Sequence, residues 1–504
     1  MKKFRQFTAA ILGTILAGTS LLGTAAKIPA KAYVPLYLAG DVNLDGTTDL
    51  LDVVRMQRFL GGSLPALIQF EGEWWDEPNE REIQIVTDLN GDGDVDIFDL
   101  SLLKRLVLYG SFRENPVPTY TAKNLAAAYT PSLTASAEVS EDVLLRQTKF
   151  AIDLLNQNAE TGENVLVSPF SVSQALGMTA NGAKGDTLSE MENVLGAPIN
   201  ELNDALYAER IGSQVNTPNA GVFDSENSIW VRDGYPVRED FLRTNADYYE
   251  ADAFSAPFDE TTVEDINHWV SYHTDRMIPS ILKELSDNAM MCLVNTVRFD
   301  GYWEDPYNEY AISDAEFTAA DGTKQTAKMM YASLEGYISD DHAEGFKKYY
   351  RGGNFYFAAL LPEEGMTPEA YLADLTPERL RSALTGSKSD YILSGLPEFS
   401  YDFGAELSDS LKDMGMPAAF DSINADFSGM TDSPNDLYID AVIHKTHIEV
   451  NPAGTRAAAA TAVVLVEKGM DPSHQIILNR PFVYMIVDAQ TDLPVFIGTV
   501  HSVE

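Results

Sequence analysis

Apolar positions recur along most of the chain with two different periods. From Ser140 the run SEDVLLRQTKFAIDLL sets Val143, Leu144, Phe150, Leu154 and Leu155 on one helical face. Ser140 stands where a cap belongs, and Glu141 and Asp142 suit the positive end of the helix dipole. The same spacing predicts helices over 171–181, 187–195, 263–276 and 403–414. Runs rich in β-branched and aromatic residues predict strands at 164–167, 227–231, 290–299, 355–361, 441–450 and 482–487. Spread over about 365 residues, this mixture exceeds a sandwich or a bundle and predicts an α+β domain built on large sheets.

One stretch fits neither period. Residues 451–470 read NPAGTRAAAATAVVLVEKGM. The alanine run Ala457 to Ala460 favours helix, whereas Thr461, Val463, Val464 and Val466 favour strand. A turn, Pro452-Ala453-Gly454, precedes it, and Glu467, Lys468 and Gly469 close it with charge and a flexible joint. The pattern describes a loop able to become a strand.

The N-terminal part is organised differently. A basic start (Lys2, Lys3, Arg5), an uncharged stretch to Ala26 and small residues around Ala26 and Ala32 read as a secretory signal peptide, assigned to residues 1–32. A repeat follows. Its first copy carries Asp41, Asn43, Asp45, Thr47, Asp49 and Asp52; its second carries Asp88, Asn90, Asp92, Asp94, Asp96 and Asp99. Oxygen ligands fall at loop positions one, three, five, nine and twelve, with a backbone carbonyl at seven and glycine (Gly46, Gly93) at six. That is the spacing with which one tight loop wraps a hard cation, so two Ca²⁺ sites are expected. Both copies end in Asp rather than the usual Glu. An apolar helix follows each loop, and residues 61–86 separate the copies with a long insert containing Trp74-Trp75. Residues 110–138, rich in Pro, Thr, Ser and Ala, read as a linker.

Charge narrows the partners. A formal net charge of −41 over 504 residues excludes nucleic acid and anionic membrane surfaces as targets and suits a soluble, secreted, cation-binding protein. The lone cysteine, Cys292, sits in the apolar run MMCLVNTVRF and reads as a strand residue rather than a nucleophile. Neither a GxSxG elbow nor an HExxH pair occurs, so a hydrolase is not indicated.

The duplicated loop-helix unit over 38–109 resembles the dockerin module of cellulosome-associated proteins. The resemblance implies a cohesin partner read by loop positions ten and eleven and the following helix: Leu50, Leu51 and Arg58 in one copy, Ile97, Phe98, Lys104 and Arg105 in the other. The same apolar pairs could instead form the small module's own core.

Residues 139–504 resemble the serpins. The match is carried by NVLVSPFSV (164–172), NGAKG (181–185), INHWV (266–270), LVNTVRFDGYW (293–303), LPEF (396–399), ADFSGM (425–430), AVIHKTHIEV (441–450) and Arg480-Pro481-Phe482. The chain then reads as multidomain: a small α dockerin module with two calcium loop-helix units, then a large α+β serpin fold with a central, mainly antiparallel sheet and a mobile reactive loop. The resemblance implies a secreted inhibitor of a trypsin-like or subtilisin-like serine protease, monomeric in its serpin domain and attached to a cellulosome-type complex. It contributes no catalytic residue. A non-inhibitory serpin with a structural or chaperone-like part in the same complex is the alternative.

In serpins the cut loop enters the central sheet as a strand. By that alternation Thr455, Ala457, Ala459 and Thr461 would face the core, all of them small and uncharged, with Gly454 as hinge. Counting 14 residues on from Gly454 makes Lys468–Gly469 the bait bond, with cleavage after Val466 or Met470 as alternatives. Ser168, Ser171, Asn295 and His444 match the polar cluster beneath the sheet, and Trp303 matches the tryptophan where insertion begins. Pro452-Ala453 depart from the acidic residues that many inhibitory serpins carry before the hinge.

Overall fold

The computed structural model describes residues 50–60, 103, 119–125, 139–159, 162–213, 215–217, 221–274, 277–286, 288–386, 388–432, 437–455 and 474–503. Its helices are α1 (Leu50–Leu60), α2 (Glu141–Asn158), α3 (Pro169–Ala180), α4 (Gly185–Leu195), α5 (Ile199–Ser213), α6 (Glu239–Tyr249), α7 (Glu260–His273), α8 (Pro368–Asp374), α9 (Pro377–Thr385) and α10 (Ser408–Met414). Among the described residues no helix is long and apolar enough to cross a membrane.

Local chemistry explains several boundaries. The Ser140 hydroxyl accepts from the Val143 amide and opens α2. Thr367 and Thr376 cap α8 and α9 in the same way, each followed by proline at the first helical position. Ser168 caps α3, whose residues are buried except for Ala175.

Two sheets carry the domain. In the first, the strands run in the order β1 (Lys123–Asn124), β5 (Asp252–Ala256), β4 (Gly221–Arg232), β6 (Met291–Tyr302), β14 (Gly454–Thr455), β13 (Ile443–Asn451) and β12 (Phe399–Glu406), with β3 (Val215–Thr217) on β4. All pairs are antiparallel except β4 with β5. The second runs β15 (His474–Ile477), β11 (Lys388–Pro397), β8 (Lys324–Ser339), β9 (Ala343–Tyr349), β10 (Phe355–Pro362), β16 (Phe482–Asp488), β17 (Pro494–Val500) and β2 (Val165–Val167), with β7 (Ile312–Thr318) on β8. β16 and β17 are buried along their whole length, in keeping with their largely apolar sequences.

An aromatic core that includes Phe223, Phe299, Trp303, Tyr350, Phe357 and Tyr484 joins residues of both sheets. A second core packs α2, α3 and α5 against β16, and a third lies beneath α7 around Trp230, Phe254 and Trp269.

One sequence expectation is corrected here. The helix read over 403–414 begins only at Ser408; residues 399–406 are strand β12, paired along its whole length with β13. Leu407, Leu411 and Met414 carry helical spacing, but Phe399, Tyr401, Phe403 and Ala405 alternate on one face, and the ladder with β13 decides between them.

Candidate functional site: hinge, slot and clasp

The site is built where β13 ends. At Asn451 the chain turns, and Gly454–Thr455 folds back as β14 between β13 and β6. The Asn451 side-chain oxygen accepts from the amides of Ala453 (3.0 Å) and Gly454 (3.1 Å), so the turn is shaped by its first residue. Only glycine fits at 454, because a Cβ there would collide with the Gly301 carbonyl across the sheet. Thr455 is 3% exposed, and its hydroxyl shares a 2.6 Å hydrogen bond with the Tyr350 hydroxyl. Trp303 stacks on Tyr350 at 4.5 Å, and its indole N–H donates to the Asn451 carbonyl at 3.0 Å.

Below Thr455 the sheet is split. Among the described residues β6 and β13 form no ladder with each other; on the sides that face each other, each pairs only with the two-residue β14 at the top. The gap opens into a cavity of about 290 Å³ bordered by Leu293, Asn295 and Val297 of β6, by His444 and Thr446 of β13 and by Val442 just before it. A smaller void of about 20 Å³ lies under Thr455 itself, among Val297, Phe299, Ile448 and Phe496. The walls are mainly apolar, and the position is that of a missing strand.

A polar clasp crosses the floor of this slot. The N-terminus of α3 reaches both sides. The Ser168 amide donates to His444 Nε2 of β13 at 3.1 Å, and the Ser171 hydroxyl donates to the side-chain Oδ1 of Asn295 on β6. The Asn295 amide nitrogen donates in turn to Asn227 Oδ1 at 2.9 Å, and the Thr446 hydroxyl to the Leu166 carbonyl at 2.8 Å. Burial pushes the His444 pKa down to about 4, so its ring is neutral at pH 7 and free to accept. Cys292, half-buried on β6, also borders the slot; burial pushes its thiol up to about 12, which leaves no thiolate nucleophile.

The structure thus brings Gly454, Thr455, Ser168, Ser171, Asn295, His444 and Trp303 to one slot. Ala457, Ala459, Thr461, Lys468 and Gly469 lie outside the described residues, as do Ile97, Phe98, Lys104, Arg105 and eleven of the twelve calcium-ligand positions; the twelfth, Asp52, falls on α1. Leu50, Leu51 and Arg58 fall on α1. Sequence reasoning did not name Tyr350, Gly301, Asn227 or Thr446. Gly301, a glycine inside a strand, carried the one available signal, since such glycines often mark close backbone approach.

A family model described as serpin (serine protease inhibitor) matches residues 145–503. The chain belongs to the serpin family. A second model, described as dockerin type I domain, matches residues 39–108, so this serpin carries a dockerin. It is 30% identical to an uncharacterized serpin-like protein of Thermococcus kodakarensis over 76% of this chain and 93% of that one. It is also 30% identical to leukocyte elastase inhibitor A of Mus musculus, over 72% of this chain and 100% of the other. Among solved structures, the thermophilic serpin tengpin in its native state superposes with a TM-score of 0.71 at 35% identity, covering 76% of this chain and 99% of tengpin.

Proposed function

We propose that this serpin is a secreted inhibitor of serine proteases that traps its target by loop insertion and is held to a cohesin-bearing scaffold by its dockerin. The observation that carries the reading is the split sheet: Thr455 is already buried at the head of a gap between β6 and β13 that no described strand fills below it. The target's serine attacks the carbonyl of Lys468, releases Gly469 as the new amine and forms an acyl-enzyme. The freed segment then zips downward from Thr455, with Ala457, Ala459 and Thr461 turned inward, where only small uncharged side chains fit the apolar walls. Inhibition requires this zipping to outrun deacylation. A lysine at 468 suits a trypsin-type pocket; cutting after Val466 or Met470 would move specificity toward elastase- or subtilisin-like enzymes. The clasp of Ser168, Ser171, Asn295 and His444 holds the two sides at a fixed distance and rearranges as the new strand enters.

Incubation with trypsin-like and subtilisin-like proteases is expected to give a complex that survives SDS. Clean loop cleavage alone, without added heat stability of the cut protein, points instead to a non-inhibitory serpin.

The dockerin supplies the address. Its two loops present all-oxygen ligand sets, the donor chemistry of a hard cation such as Ca²⁺. Chelation is expected to remove the ordered signal of residues 38–108 and release the protein from immobilised cohesin, with calcium restoring both. Equal cohesin binding by metal-free protein would refute this part.

A further inference from the structure

The hinge turn is gripped from the side by one short segment. Within it the Trp303 amide donates to the Ala453 carbonyl at 2.9 Å and the Tyr307 amide to the Pro452 carbonyl at 2.9 Å. The Trp303 indole holds the Asn451 carbonyl as described above. The depth of Gly454 and Thr455 in the sheet therefore follows the position of residues 303–307.

That segment is fastened to β9 in two ways. The Glu304 amide donates to the Tyr349 carbonyl at 3.0 Å. Beside it Lys348, only 4% exposed, donates from Nζ to the Asp305 carbonyl at 2.6 Å. The same ammonium lies 4.4 Å from the Tyr307 ring and 5.5 Å from the Trp303 ring. The charged and titratable groups around it are Glu304, Asp305 and Tyr307 of the segment and Tyr350, which stacks on Trp303. Lys347 meets a different set, Tyr356 and Asp492.

A buried ammonium is costly, and an apolar side chain of similar volume would pack there at lower cost. Stability alone does not account for the charge. Its three contacts all fall on the segment that holds the hinge, and two are ring faces whose attraction depends on charge. Burial lowers the Lys348 pKa to about 8, against the pull of Asp305 and Glu304, so the charge titrates in an accessible range.

We propose that Lys348 is the positioning residue of the hinge: its ammonium fixes residues 303–307, and these set how far Gly454 and Thr455 enter the sheet. Only the consequence for inhibition rests on the proposed function; the geometry stands without it.

Hydrogen exchange of the full-length protein, corrected for intrinsic rates, tests this in the 303–307 region. Lys348→Met is expected to speed exchange there by roughly tenfold, the scale of a desolvated cation–π contact, while Lys348→Arg keeps most of the protection. Wild-type protection should weaken as pH rises through about 8, and both variants should lack that step. Unchanged protection in Lys348→Met, or equal loss in Lys348→Arg, overturns the assignment. Exchange in β16 and β17 reports the global fold; if Lys348→Met loosens these strands, Lys348→Gln is read by the same criteria. Should the wild type form no protease complex at all, the inhibitor reading falls and the exchange comparison still decides the role of Lys348.

Discussion

Thr455→Arg is expected to convert the inhibitor into a substrate: the loop is still cut, and the SDS-stable complex disappears. In the proposed insertion, residue 455 stays in the sheet as the first inserted side chain. Its surroundings include the Tyr350 hydroxyl and a mainly apolar lining with Val297, Phe299 and Ile448. Among the described residues no carboxylate borders the void beneath it. A guanidinium buried there without a partner costs several kcal/mol. Because each 1.4 kcal/mol is a factor of ten, insertion should slow by roughly a hundredfold or more and lose the race with deacylation. Thr455→Val keeps the shape and leaves only the Tyr350 hydroxyl unpaired, a cost of about 1 kcal/mol, so much of the complex should survive. The measurement is the ratio of complex to cleaved serpin on a denaturing gel. An arginine variant that still traps protease efficiently would disprove insertion through this slot.

A second large effect is expected on acid stability. The His444 pKa is lowered from 6.5 to about 4 by burial. Between those values the unfolded chain binds the proton more readily than the native clasp does. The stabilisation is therefore complete above about pH 6.5 and is lost as pH falls through about 4. The shift corresponds to about 3 kcal/mol. Protonation also places a proton on Nε2, where the Ser168 amide now donates, so the clasp loses its acceptor on β13. Urea unfolding from pH 7 to pH 4 is expected to show this loss in the wild type and a smaller one in His444→Gln. Many carboxylates titrate in the same range, so the difference between the two proteins is the quantity to read. Parallel curves would show that His444 is not the titrating member of the clasp.

Several elements around this site are legible in the sequence, for identifiable reasons. The Ser140 cap and the strand at 441–450 follow from local propensity and period, which depend on neighbours a few residues away. The helix read over 403–414 failed because residues 399–406 carry an amphipathic alternation of their own. Their pairing with β13, some forty residues on, reinforced that alternation and outweighed the helical spacing that continues from 407. Tyr350 escaped notice because its partner Thr455 lies 105 residues away and no periodicity links the two. Lys348 escaped because a lysine in a strand ordinarily reads as a solvated face.

The sequence alone determined the modules and their raw chemistry: oxygen-bearing side chains at the spacing of a calcium loop, a glycine at 454, and a run of small residues, Ala457 to Thr461, beyond it. These are short-range properties, fixed by residue type and separation along the chain. Only the tertiary structure decided that β6 and β13 stand apart, that Thr455 is already seated between them, that the clasp from the start of α3 crosses the slot below, and that Lys348 of β9 meets the segment beside Gly454. Sheet order is set by contacts between remote segments, and such contacts leave no local trace in the chain.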